Sequence, residues 1–151
     1  MAADHFALLS AGLFLLVGMI TGWWKYHHIM RSSDATAPTY VDICHRTALM
    51  YAFACLVLQQ LALHSRWSDI VNLWAVAVPI AYFASAVLTY AIHGVLKDTD
   101  NQLQRPHRLG NRTLPNIMIS VYMVSLAVGE IGGLLVLLAG VAVYLDAVVQ
   151  E

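Results

Sequence analysis

Phe6-Ala-Leu-Leu-Ser-Ala-Gly-Leu-Phe-Leu-Leu-Val-Gly-Met-Ile-Thr-Gly-Trp-Trp24 runs without a single charged side chain. A helix of about 20 mostly apolar residues crosses a hydrocarbon layer of about 30 Å, so this stretch, 6–24, reads as a membrane span. It does not read as a cleavable signal: Asp4 and His5 stand where a lysine or arginine belongs, and no small-residue cleavage site follows. Outward from it, three more stretches meet the same test, at about 43–63, 70–96 and 117–145. The whole composition agrees. Of 151 residues, 60% are hydrophobic and 11% charged, whereas soluble domains carry about a quarter charged residues. The spans take up more than half the chain, with no repeat and no low-complexity tract. Residues 1–151 are therefore expected to form one all-α, integral-membrane four-helix bundle with no second domain.

The net charge of −1 gives no bulk attraction for nucleic acid; the position of the charges is more telling. Lys25, Arg31 and Arg46 lie between or at the ends of the first two spans. Lys97, Arg105, Arg108 and Arg112 lie between the last two, and only Arg66 sits on the other side. By the positive-inside rule both long loops are cytoplasmic and both termini outside, in a multi-pass protein of the cell's inner (plasma) membrane. Trp23, Trp24 and Tyr26 at one helix end, and Trp67 and Trp74 near the other side, read as interfacial anchors. The short link His64–Asp69 makes the second and third helices antiparallel neighbours. Asp98, Asp100, Asn101 and Pro106 mark a structured turn, and Pro115 fits the first turn of the fourth helix. Pro79, inside the third span, predicts a kink that frees a carbonyl towards a cavity. Cys44 and Cys55 lie in or beside apolar sequence and behave as small hydrophobes.

Ionisable groups at membrane depth are costly and so point to function. His45 opens the second span, with Tyr51 under two turns below it; Tyr90 and His93 close the third. All four are expected to converge at one depth. On the helix face of His45 stand Ala48, Ala52, Cys55 and Gln59. A flat macrocycle bound through the imidazole needs such a stripe of small side chains, and close helix packing needs one too. His45 is read either as a metal or haem ligand or as an interfacial histidine bonded to a loop. Tyr90 is either a donor to a substrate oxygen or a snorkelling tyrosine. Tyr82, Ser85 and Thr89 continue a polar stripe expected to face the bundle interior. Glu130, between Gly129 and Gly132-Gly133, is expected to be a structural carboxyl hydrogen-bonded to a neighbouring helix, as are the amides of Gln59 and Gln60. His27-His28 and His107 lie in the loops expected to be cytoplasmic, and the adjacent pair matches no regular zinc spacing. No phosphate loop, nucleophile elbow, Cys-x-x-Cys or His-Glu-x-x-His is present in the sequence.

Four spans in about 150 residues, His45 at the entry of the second and Tyr90 near the end of the third resemble the membrane-bound styrene oxide isomerases. Gly18-x-x-x-Gly22-Trp23-Trp24 is similar to a glycine–tryptophan segment of that family. The resemblance covers the topology of the whole chain, while its specific motifs amount to a handful of residues. It implies a b-type haem with His45 as axial ligand, seated over Ala48 and Ala52. It also implies Tyr90 on the substrate side of the iron, and a homotrimer with haem near the subunit contacts. One residue departs: where the family carries an asparagine that holds the substrate oxygen, this chain has Tyr51, which changes the size of the pocket. The implied activity is an intramolecular isomerisation of a small hydrophobic aryl epoxide, such as styrene oxide, to the aldehyde (a Meinwald rearrangement). Ferric haem acts as Lewis acid, and Tyr90 and Tyr51 position the oxygen. A cytoplasmic monooxygenase docking on the loops from Asp98 to Arg112 is the partner such a reaction invites. Two other readings stand beside it: a haem- or quinone-binding anchor subunit of an electron-transfer complex, with His45 and His93 as paired ligands, and a non-catalytic transporter or assembly factor using Glu130 as a proton site.

Overall fold

The computed structural model describes residues 2–150. It contains α1 (Ala3–Ile29), α2 (Thr39–His64), α3 (Asp69–Leu96) and α4 (Asn116–Val149). All four are long and apolar enough to span a membrane, so the four-helix reading holds, with α1, α2 and α4 overrunning their apolar stretches by a few residues and α3 by one. Extended backbone at Pro38, Ser68 and Pro115 starts α2, α3 and α4. Pro115 thus precedes α4 instead of occupying its first turn. Lys97 ends α3 in the left-handed conformation, φ +51°, and its amide returns to the His93 carbonyl at 2.7 Å.

α1 packs most extensively against α2, and the cause is side-chain size. Ala3, Ala7, Ala11 and Gly18 are buried along α1, and Cys44, Ala48, Ala52 and Cys55 along α2. A Cβ at Gly18 would run into the Leu49 side chain, and one at Gly22 would meet the His45 ring at 2.8 Å. Those two pairings run in opposite senses along the helices, so α1 and α2 are antiparallel. Small residues let backbones approach where lipid supplies no hydrophobic drive to association.

α3 and α4 meet through glycines as well. Gly129 lies against Tyr82, and a Cβ at Gly133 would stand 2.6 Å from both the Ala75 carbonyl oxygen and Pro79 Cγ. Pro79 has no N–H, so the Ala75 carbonyl lacks its helical donor. The Gly133 backbone lies against it, where the sequence reading had it face a cavity. At the termini end of the bundle, the Trp67 indole N–H donates to the Val136 carbonyl at 2.8 Å, and the Arg66 amide to that of Gly140 at 3.2 Å. Trp67 therefore clasps the α2–α3 link to α4, where the sequence suggested a lipid anchor. Only Leu137 and Gly140 of α4 are buried. The rest of that apolar surface is what a lipid-facing helix requires.

The loop between α3 and α4 folds back as a hairpin, β1 (Arg108–Leu109) paired antiparallel with β2 (Arg112–Thr113). Gly110 opens its two-residue turn at φ +59°, the position where a type II′ turn takes glycine.

Candidate functional site

A cavity of about 500 Å³ lies between α3, α4 and the 97–115 loop, with mostly apolar walls. Tyr51 of α2 and Tyr90 of α3 both line it. The Tyr51 ring is stacked on Phe83 (centroids 4.1 Å apart, 11° between planes) and meets Phe14 edge-on at 6.0 Å. Tyr90 stacks on Tyr40 at 5.8 Å. Packing thus fixes both rings, and among the described residues neither hydroxyl has a hydrogen-bond partner. Two phenol donors held in an apolar chamber can bind the oxygen of a ligand. The polar stripe faces α4 as expected: Thr89 lines the cavity, and Ser85 pairs with the Tyr122 hydroxyl at 2.7 Å.

His45 is elsewhere. Its Nδ1 donates to the Gly18 carbonyl of α1 at 2.8 Å, so the partner is a helix, where a loop was expected, and Nε2 keeps its lone pair. Metal-bound histidines characteristically anchor their second nitrogen this way, so the donor chemistry fits haem ligation. Lys25 and Arg46 both pair with Asp42, at 2.5 and 2.9 Å, tying α1 to α2 at the same end. However, His45 does not line the cavity that holds Tyr51 and Tyr90. Ala48 is 0% exposed and Ala52 5%, packed into the core shared with α1 and α3. Within one chain the small stripe serves helix packing. The expected convergence of His45 with the tyrosines at one place is not what the single chain displays.

His93 joins Tyr90 in the cavity lining, as their three-residue spacing predicts. Its Nδ1 donates to Asp98 Oδ1 at 2.7 Å, the two side chains being only 4% and 5% exposed. Asp98 Oδ2 also accepts the Gly110 amide at 2.5 Å, so one carboxylate ties the end of α3 to the hairpin turn. His107, 5% exposed, donates through Nδ1 to the Gln102 carbonyl at 3.1 Å. The Gln102 amide in turn donates to the Tyr40 hydroxyl at 2.5 Å. Sequence reading left Gln102 and Tyr122 unnoticed and treated Asp98 as a turn residue and His107 as a loop histidine. The available signal was a carboxylate five residues beyond a helix-closing histidine.

Burial opposes the charged form of Asp98, but the hydrogen bonds from His93 and the Gly110 amide outweigh it and hold its pKa below the ordinary carboxylate value. A carboxyl with a depressed folded-state pKa contributes stability in full above its unfolded value, about 3.9, and loses it as pH falls through the folded value. Acidification below about pH 4 should therefore release the 97–115 loop while the helices persist. Pepsin cleavage appearing within 98–115 as the pH is lowered would report this. A loop still resistant after Asp98 is protonated would mean other contacts hold it.

Glu130 makes no hydrogen bond to a neighbouring helix, contrary to expectation: its Oε1 is buried without a partner. Nor do the Gln59 and Gln60 side chains bridge helices among the described residues. His27 and His28 line a separate pocket with Arg31 and Lys97 at the loop end of the bundle. Among the described residues no three His, Cys, Asp or Glu side chains cluster to hold a metal ion. No family model, no curated protein and no solved structure matches this chain.

Proposed function

We propose that this chain is a membrane enzyme that isomerises a small, lipid-soluble aryl epoxide to the aldehyde, using b haem held by His45 in a homotrimer. The observation that carries the reading is the apolar cavity that brings Tyr51 and Tyr90 together with free hydroxyls. The anchored His45 tautomer supports the ligand assignment. When bound, ferric haem supplies a Lewis acid for the epoxide oxygen. The chain's own part is positioning: Tyr90 and Tyr51 donate to that oxygen as its C–O bond opens. His45 turns to α1 whereas the tyrosines line the α3–α4 cavity. A site using all three is therefore completed between copies, as in a ring closed by a head-to-tail interface. The basic loops lie in the cytoplasm of a plasma-membrane protein, and the 97–115 loop is the face offered to an epoxide-forming monooxygenase. No observation favours the paired-histidine anchor, since His45 turns to α1 while His93 lines the α3–α4 cavity.

The test is an absorption spectrum of the detergent-purified protein, then a styrene oxide assay on the same sample. A high-spin ferric Soret band with phenylacetaldehyde formed without reductant is the expected result. Colourless protein that makes no aldehyde would overturn the reading. Tyr90→Phe should keep the spectrum and lower turnover about 100-fold, the usual effect of one lost oxyanion donor. Unchanged turnover would assign Tyr90 to packing on Tyr40 alone.

A further inference from the structure

We propose that the polar end of the α3–α4 cavity holds a nucleophilic water between His93, His107 and Gln102, and that His93, backed by Asp98, directs it at the epoxide to give the vicinal diol. This second activity rests on the epoxide substrate class proposed above, but it needs no haem.

Hydrogen-bond polarity carries the argument. A backbone carbonyl only accepts, so the contact from His107 Nδ1 to the Gln102 carbonyl fixes the proton on Nδ1 and leaves a lone pair on Nε2. The Asp98 carboxylate does the same for neutral His93. Among the described residues neither Nε2 meets a protein donor, although both residues line the cavity and are almost wholly buried. Gln102 is held by its backbone at both ends, and its Oε1 is buried with no partner, in the same lining. Three acceptors thus belong to the lining of one cavity, and acceptors of this kind call for a donor. Water donates to two of them and keeps a lone pair for attack. Tyr51 and Tyr90, in the same cavity, are the donors the electrophile's oxygen needs.

The step balances without an oxidant or reductant. The water oxygen bonds to an epoxide carbon and its proton passes to His93 Nε2, the Asp98 carboxylate stabilising the imidazolium. The C–O bond breaks as a tyrosine O–H protonates the departing oxygen, and the His93 proton then returns to the phenolate. The sum is epoxide plus water to diol. His93 is the base, Asp98 its orienting partner, and His107 and Gln102 position the water.

The full-length protein, purified from haem-replete and from haem-depleted cells, is given styrene oxide in ¹⁸O-water, and aldehyde and diol are separated on one chromatogram. Diol carrying one ¹⁸O is expected from both preparations, well above the buffer rate, and reduced about 100-fold or more in His93→Gln. Gln102→Leu removes an oxygen that makes no bond within the fold, so it keeps its helical circular dichroism and should lower the diol rate about tenfold. Diol no faster than in buffer, or unchanged in a folded His93→Gln or Gln102→Leu protein, overturns the proposal. Diol without aldehyde would retain this proposal and remove the haem isomerase; aldehyde without diol would do the reverse.

Discussion

Replacing His45 by alanine is expected to strip haem from the purified protein and bring aldehyde formation to the uncatalysed rate in the same sample. A Lewis-acid metal contributes several kcal/mol to such a bond opening, so the loss should be on the order of a thousandfold. The fold should survive. The lost contact is one hydrogen bond, worth about 1 kcal/mol, and the Gly18 carbonyl it leaves still accepts from Thr21 Oγ1 at 3.1 Å. Gly22→Leu approaches the same point from the other helix. Its Cβ would fall 2.8 Å from His45 Cε1, forcing the ring from its place, so haem should be lost with the ligand still in the chain. A normal Soret band in His45→Ala would remove His45 from the site.

The largest effect on stability is expected at Gly133. A methyl group there meets the Ala75 carbonyl oxygen and the Pro79 ring at 2.6 Å each. One is backbone and the other a closed ring, so neither can rotate aside. Overpacking typically costs 1–3 kcal/mol; Gly133→Ala should reach the upper end, about 3 kcal/mol, and lower Tm by roughly 10 °C. Gly132 is the internal control. Nothing lies within 4 Å of a Cβ at that position, so Gly132→Ala should be neutral or stabilise by about 0.5–1 kcal/mol through helix propensity. Equal melting temperatures for the two variants would mean that α4 does not seat on Pro79.

Four helices were legible because uncharged runs of span length admit few alternatives, and the pairing of Tyr90 with His93 because three residues is a helical repeat. The seating of His45 was not. A stripe such as Ala48-Ala52-Cys55 suits a macrocycle and a neighbouring helix equally, and only the matching Ala7-Ala11-Gly18 stripe on α1 decides between them within one chain. The Asp98 clasp depends on loop closure, with its partners five and twelve residues away on different elements. Sequence periodicity has no term for that. The Gly110-Asn111 turn was readable in principle, since glycine followed by asparagine between Arg108-Leu109 and Arg112-Thr113 suits a two-residue hairpin.

α4 is tied to its neighbours by Gly133, Trp67 and Arg66 in its second half and by Tyr122 on Ser85 nearer its start, while Met118 and Tyr122 border the cavity. A helix with lipid on one side and open volume on the other is a partition between bilayer and cavity. A lipid-soluble substrate of the kind proposed would cross that partition sideways, and its supply would depend on partitioning into the membrane rather than on aqueous concentration. Apparent affinities measured with this protein would then scale with the amount of lipid or detergent in the assay, and two guests of equal fit would be ranked by their oiliness.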